Sequence, residues 1–203
     1  MKAVMPQVPE AILAWRRRTG ADRWDEMWEG VLHMTPAPTK KHQALQGQLN
    51  TWLDTYWAKP HGGEVLPTVN VASVGGWPDD YRIPDLVWLT PDRFDIDRDE
   101  YLEGDPSVVV EIRSPGDETL EKLTFYAKLG VPEVWIIERD TRVPRVLRLA
   151  GAGYEDAAPD AAGWIRSPAT EVRLRAEAEG KLGIQMGVET ASFRSLPETP
   201  SQP

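Results

Sequence analysis

The 203-residue sequence contains no cysteine, which excludes disulfides, zinc–thiolate sites, iron–sulfur clusters and cysteine nucleophiles together. The fold must therefore hold by packing. No stretch approaches the roughly 18 uncharged apolar residues of a membrane span, and Pro6 and Pro9 fall where the apolar core of a signal peptide would lie. A cytoplasmic protein without a membrane partner is expected. Positive charge is also in short supply: 23 Lys and Arg face 32 Asp and Glu, for a net charge of −9. That balance disfavours non-specific attraction to nucleic acid or anionic membrane, while leaving room for a local basic patch. A Walker loop, an HExxH pair and a GxSxG elbow are all missing. Gly151-Ala152-Gly153 leads into no helical pattern, and Ser114-Pro115-Gly116 reads as a turn, not a nucleophile.

What is present suits one domain of ordinary size, with 41% apolar residues. Residues 1–194 are expected to form it, and 195–203, with little to bury, a disordered tail. Residues 9–20 read as a short helix stopped by Gly20, and Glu29-Gly30 as the turn of a hairpin. From Thr39, a good N-cap, Leu45, Leu49, Trp52, Leu53 and Tyr56 recur at helical spacing as far as Gly62-Gly63. Strand patterns follow in "EVLPTVNVASV" and "YRIPDLVWL", then an acidic, turn-rich loop over 90–106. "VVVEIR", "DETLEKLTFYAKLG" and "VPEVWIIE" form a strand, helix, strand unit with parallel strands. "PRVLRLA" pairs back on the last of these, and short strands are expected at 164–167 and 171–175. Trp15, Trp52, Trp88 and Trp135 sit in apolar patterns and read as core, while Trp77, in a Gly-Pro loop, is the candidate for an exposed contact.

Charge interrupts the apolar strands at two points. Alternation puts Val108, Val110 and Ile112 on one face of their strand and Val109, Glu111 and Arg113 on the other. A carboxylate in such a strand must find a cation, a metal or hydrogen-bond donors, or take up a proton. An ion pair with Arg113 would satisfy Glu111 without any function. Asp85, directly after Pro84, repeats the puzzle, and if the two strands are neighbours both acids could converge on a hard cation such as Mg²⁺. On the following helix Lys122, Phe125, Tyr126 and Leu129 share a face that is apolar except at the lysine. That places its amine towards the strand end, unless the stem carries it out to water. Basic residues cluster at Arg16, Arg17 and Arg18, at Lys40 and Lys41, and at Arg139, Arg142, Arg145 and Arg148; each reads as a solvated face. His33 and His61 belong to no pattern.

Pro84-Asp85 followed by Glu111 and Arg113 resembles the PD-(D/E)xK signature of restriction-endonuclease-like nucleases, with arginine at the usual lysine position. "EMWEG" with "MTPAP" and His42, "IPDLVWL", "VVVEIRSP", "EKLTFYAKLGVPEVWII" and "GYE" together resemble the Uma endonuclease family over most of residues 24–155. The resemblance implies an α/β (α+β) restriction-endonuclease-like fold: a mixed central sheet flanked by helices, with an added N-terminal hairpin and C-terminal strands. It further implies Asp85 and Glu111 as ligands of Mg²⁺ or Mn²⁺, Lys122 as a lysine moved from strand to helix, and Glu26, Glu29, His42 and Gln43 as accessory groups. The implied activity is hydrolysis of nucleic acid, DNA foremost, with Lys122 and Arg113 stabilising phosphate charge. Arg113 cannot transfer protons, and the segment from Ser114-Pro115 to Lys122 looks shorter than is common in the family. A catalytically inactive nucleic-acid-binding or protein-interaction module is the alternative. A homodimer is the expected assembly, since a duplex has two strands to cut.

Overall fold

The computed structural model describes residues 8–198 and the backbone of residues 3–5. In chain order the first half holds β1 (Ala3–Met5), α1 (Glu10–Thr19), β2 (Glu26–Trp28), β3 (Val31–Met34), α2 (Lys40–Leu53), the short α3 (Lys59–His61), β4 (Glu64–Pro67), β5 (Val71–Ala72), β6 (Tyr81–Arg82) and β7 (Leu86–Leu89). The second half holds β8 (Leu102–Glu103), β9 (Val108–Arg113), α4 (Thr119–Leu129), β10 (Glu133–Glu138), β11 (Pro144–Ala150), β12 (Gly153–Asp156), β13 (Ile165–Arg166), β14 (Val172–Glu177), β15 (Lys181–Met186) and β16 (Glu189–Leu196).

The described residues form three sheets. The central one runs β12-β11-β10-β9-β7-β4 and is mixed: β9 and β10 lie parallel, joined through α4, and every other pair is antiparallel. An N-terminal sheet runs β1-β3-β2-β6-β5-β8 and a C-terminal one β13-β14-β15-β16. Glu29 and Gly30 turn the β2–β3 hairpin with φ of 50° and 81°, as a two-residue type I′ turn requires. Thr39 caps α2, its hydroxyl accepting the His42 N–H.

Alternation along β9 divides the apolar residues between two cores. Val108, Val110 and Ile112 join Leu45, Leu49 and Trp52 of α2 with Val172, Leu174 and Leu182 of the C-terminal sheet. Val109 joins Phe125 and Tyr126 of α4 on the opposite face. The first core is tied across a long span of sequence. Trp52 Nε1 donates to the Ser192 carbonyl at 2.8 Å, and the Glu198 N–H donates to Gln48 Oε1 at 2.7 Å.

Several expectations need correction. "YRIPDLVWL" is two strands in two sheets, because Pro84 has no N–H with which to continue a ladder. "EVLPTVNVASV" likewise splits into β4 and β5 around Thr68, whose φ of 55° no extended strand accommodates. Trp15 is 49% exposed, on a helix that buries no residue. Trp77 is half-buried and stacked on Tyr101 at 4.8 Å. Part of the expected tail is ordered: β16 runs to Leu196, whose side chain is buried, because α2 offers it an apolar face. Residues 199–203 lie outside the described residues. Among the described residues, no helix is long and apolar enough to cross a membrane.

The two faces of α2 make opposite predictions. Leu49, fully buried, should cost about 2–5 kcal/mol of unfolding free energy when replaced by Ala. Gln43→Ala, on the exposed face, should change it by less than about 0.5 kcal/mol in the same denaturant titration.

Candidate active site

The β7–β9 ladder stops where Leu86 faces Val110. Beyond that point Pro84 cannot pair, which leaves the Ile112 N–H without a strand partner on this side. The Asp85 carboxylate takes its place: Oδ2 accepts the Ile112 N–H at 2.6 Å. Its other oxygen lies 2.7 Å from His42 Nε2, and since an ionised carboxylate only accepts, the ring nitrogen donates. One turn further along α2, Gln46 Nε2 donates to the Asp85 backbone carbonyl at 2.7 Å and to the Thr68 hydroxyl at 2.9 Å. Asp85 is therefore fixed from the strand and the helix at once.

Glu111 emerges beside it, 3% exposed and on the α4 side of β9. Tyr126 donates its hydroxyl to Glu111 Oε1 at 2.6 Å, and the Lys122 ammonium lies 3.2 Å from the same oxygen. These two α4 residues stand four apart and so share a helix face. Lys122 also lies 2.7 Å from Glu26 Oε1, supplied by the hairpin. Glu26 is itself buried and accepts from the Ile83 N–H and the Trp28 indole, each at 2.8 Å. Burial, foremost, pushes the Glu111 carboxyl up to about 8; Lys122 and the Tyr126 hydroxyl pull against this, while Asp85 and Glu26 add to it. Burial would lower Lys122, but Glu111 and Glu26 outweigh it and hold the amine above its ordinary value. The direction for Lys122 reflects two carboxylates around one ammonium, whereas that for Glu111 reflects its burial.

These groups line a cleft of about 320 Å³ at one end of the central sheet, closed on one side by residues 114–119. That loop is tied to the hairpin through His33, whose Nδ1 lies 3.0 Å from both Glu118 oxygens and whose ring stacks on Trp28 at 4.0 Å. A larger cleft, about 460 Å³, opens elsewhere along α4, beside Trp28, Arg82 and Lys128. It contains none of Asp85, Glu111, Lys122 or His42.

Of the residues singled out in the sequence, Asp85, Glu111, Lys122, Glu26 and His42 come together, and the short loop does not keep Lys122 from the site. Arg113 does not join them. It pairs with Glu138 on β10 at 2.8 Å, so the Glu111–Arg113 ion pair does not form. Glu29 sits at the hairpin tip, exposed and 3.3 Å from Lys128, six residues or about 9 Å of helix beyond Lys122. Gln43 points to solvent. The helix glutamine that reaches the site is Gln46, and stepping back three residues from Leu49 and Leu45 would have found both Gln46 and His42. Tyr126 was legible only as an apolar position, although a buried tyrosine hydroxyl needs a partner. Among the described residues no three His, Cys, Asp or Glu side chains form a ready-made metal group.

A family model described as "Uma2: Putative restriction endonuclease" matches residues 9–178. Among solved structures, the chain resembles the crystal structure of a putative nuclease belonging to DUF820 from Anabaena variabilis. The identity is 21% and the TM-score 0.56, over 71% of this chain and 81% of that one. At that identity the likeness speaks for the fold. No curated protein matches.

The raised carboxyl of Glu111 fixes the sign of a pH effect. Between its ordinary 4.5 and about 8, the unfolded chain has lost a proton that the folded protein keeps, so stability falls as pH rises, by at most about 1.4 kcal/mol per pH unit. Thermal melts in EDTA should show a steeper loss from pH 5 to 8 in the wild type than in Glu111→Gln; equal slopes would exclude a raised Glu111.

Proposed function

The chain belongs to the Uma2 family, described as putative restriction endonucleases, and from that premise we propose that it hydrolyses phosphodiester bonds of nucleic acid, DNA foremost, with Mg²⁺ or Mn²⁺ held by Asp85 and Glu111. The observation that carries this reading is the meeting of two carboxylates and one ammonium at a single sheet end: Asp85 bonded to the β9 backbone, Glu111 on that strand, and Lys122 at 3.2 Å from Glu111. The donor set suits the cation. Mg²⁺ takes oxygen ligands, commonly one or two carboxylates, with water and substrate phosphate filling its shell. A carboxylate has about four lone-pair sites, so the hydrogen bonds to Asp85 and Glu111 leave capacity on each. Burial raises Glu111 first, and the nearby charges of Asp85 and Glu26 add to it; a divalent cation would offset both.

When bound, the metal supplies Lewis acidity, lowering the pKa of a coordinated water and neutralising charge on the phosphate. The protein's own groups orient and balance. His42 and the Ile112 N–H hold the two oxygens of Asp85, and Tyr126 holds Glu111. Lys122, kept charged by Glu111 and Glu26, is the group available to stabilise the charge that develops on the phosphoryl oxygens. Arg113, paired with Glu138, is given no role in this proposal.

Plasmid nicking in Mg²⁺ or Mn²⁺ tests the proposal. Asp85→Asn, Glu111→Gln and Lys122→Met should each lower the rate by about a hundredfold or more, and EDTA should abolish it, while Glu29→Ala and Gln43→Ala stay within about twofold. Cleavage by Asp85→Asn and Glu111→Gln at the wild-type rate would overturn the mechanism. A wild type that binds DNA but cleaves none with either metal would be a catalytically inactive binding module instead.

A further inference from the structure

Two basic clusters almost a hundred residues apart in sequence come together beside the cleft, where Thr39, His42 and Arg139 line it. Lys40 and Lys41 open α2, immediately before His42, and both are exposed. Arg139 and Arg142 lie in the turn between β10 and β11. Arg139 forms part of the cleft wall, donating to the Ser114 hydroxyl at 3.3 Å and to Asp140 at 2.8 Å. Asp140 ties the clusters together. The hydrogen bond from Arg139, helped by the charges of Arg139, Lys41 and Arg142, holds its carboxyl below the ordinary range. Three cations, Lys41, Arg139 and Arg142, thus act on one carboxylate, and among the described residues no ion pair engages Lys40 or Lys41.

Several basic residues elsewhere are matched by an acid. Arg16 pairs with Asp25, Arg17 with Glu10, Arg113 with Glu138 and Arg145 with Asp156. In a chain of net charge −9, two adjacent exposed lysines beside two arginines and a single aspartate make a local excess of positive charge. Its position follows from the fold: α2 must start beside the sheet end to bring His42 to Asp85, and the β10–β11 turn lies at the same end because β10 runs parallel to β9. Arg142 adds to the rim's charge from below the surface. It is 5% exposed, and neither its Nε nor one of its terminal nitrogens has a hydrogen-bond partner.

We propose that Lys40, Lys41 and Arg139 form a phosphate-backbone contact track that carries a nucleic-acid duplex across the mouth of the cleft, an inference that rests on the nuclease reading of that cleft. The track neutralises phosphates and reads no sequence, so its signature is salt dependence. It also explains how an acidic protein could engage a polyanion: the local field at the rim opposes the global one.

Fluorescence anisotropy with a short labelled DNA duplex in EDTA, over a series of salt concentrations, tests it. Lys40→Gln/Lys41→Gln should bind about tenfold more weakly near 100 mM salt and lose about 1–2 from the slope of log affinity against log salt; Arg139→Gln should lose about 1. Arg17→Gln/Arg18→Gln, with the same change in net charge as the lysine pair, should match the wild type in slope. Equal slopes for rim and control variants would overturn the track, and if the wild type still cleaves, the nuclease reading survives. Loss of slope at the rim in a protein that cleaves nothing would keep the track and remove the catalysis. A wild type that neither binds duplex nor cleaves would end both.

Discussion

The ammonium of Lys122 lies between two buried carboxylates, 2.7 Å from Glu26 and 3.2 Å from Glu111, and three separately built parts of the molecule meet on it. The hairpin contributes Glu26, the central sheet contributes Glu111 and α4 contributes the lysine. Remove that ammonium and two carboxylates face each other where water hardly reaches, a situation that costs several kcal/mol unless protons or a metal intervene. The hairpin's position over the sheet end, the register of α4 and the protonation of Glu111 all answer to this one charge. Where apolar packing sets the rest of the fold, electrostatics sets this corner.

The packing leaves the corner open. On one face of β9, Val108, Val110 and Ile112 are sealed by α2 and the C-terminal sheet; on the other, Val109 is sealed by α4. At the sheet end where β7 begins and β9 finishes, the cleft is bordered by the hairpin, residues 35–39 and the 114–119 loop. That is where Pro84 ends a ladder and frees a backbone N–H for Asp85. A sheet terminus is thereby turned into a polar cleft by one residue with no N–H to donate and one whose carboxylate accepts.

Much of this was legible in the sequence. Hydrophobic alternation gave β9 its two faces, helical spacing gave α2 and α4, and Glu29-Gly30 marked its hairpin; the strand neighbours followed from the strand, helix, strand unit. Less visible was whatever depends on a partner distant in sequence. Arg113 looked like the partner of Glu111, but parallel pairing sets Glu138 directly opposite it. Gln43 was named from the family resemblance, whereas Gln46, a glutamine inside an apolar stripe, shows its reason to be buried only when Asp85 and Thr68 appear across from it. β15 and β16 carry weak strand signals. Gly183 interrupts β15 because a Cβ there would come within 2.6 Å of the Glu177 carboxylate, a clash no local pattern announces.

The bond from the Trp52 indole to the Ser192 carbonyl joins residues 140 positions apart. During synthesis at about 5–20 residues per second, α2 would wait roughly 7–28 s for the strand that covers it. Until β16 docks, the helix carrying His42 and Gln46 has an unsealed apolar face and only part of its support. The helix that holds Asp85 in place thus forms early in synthesis and gains its full packing late, so the order of synthesis and the order of completion of this cleft are opposed.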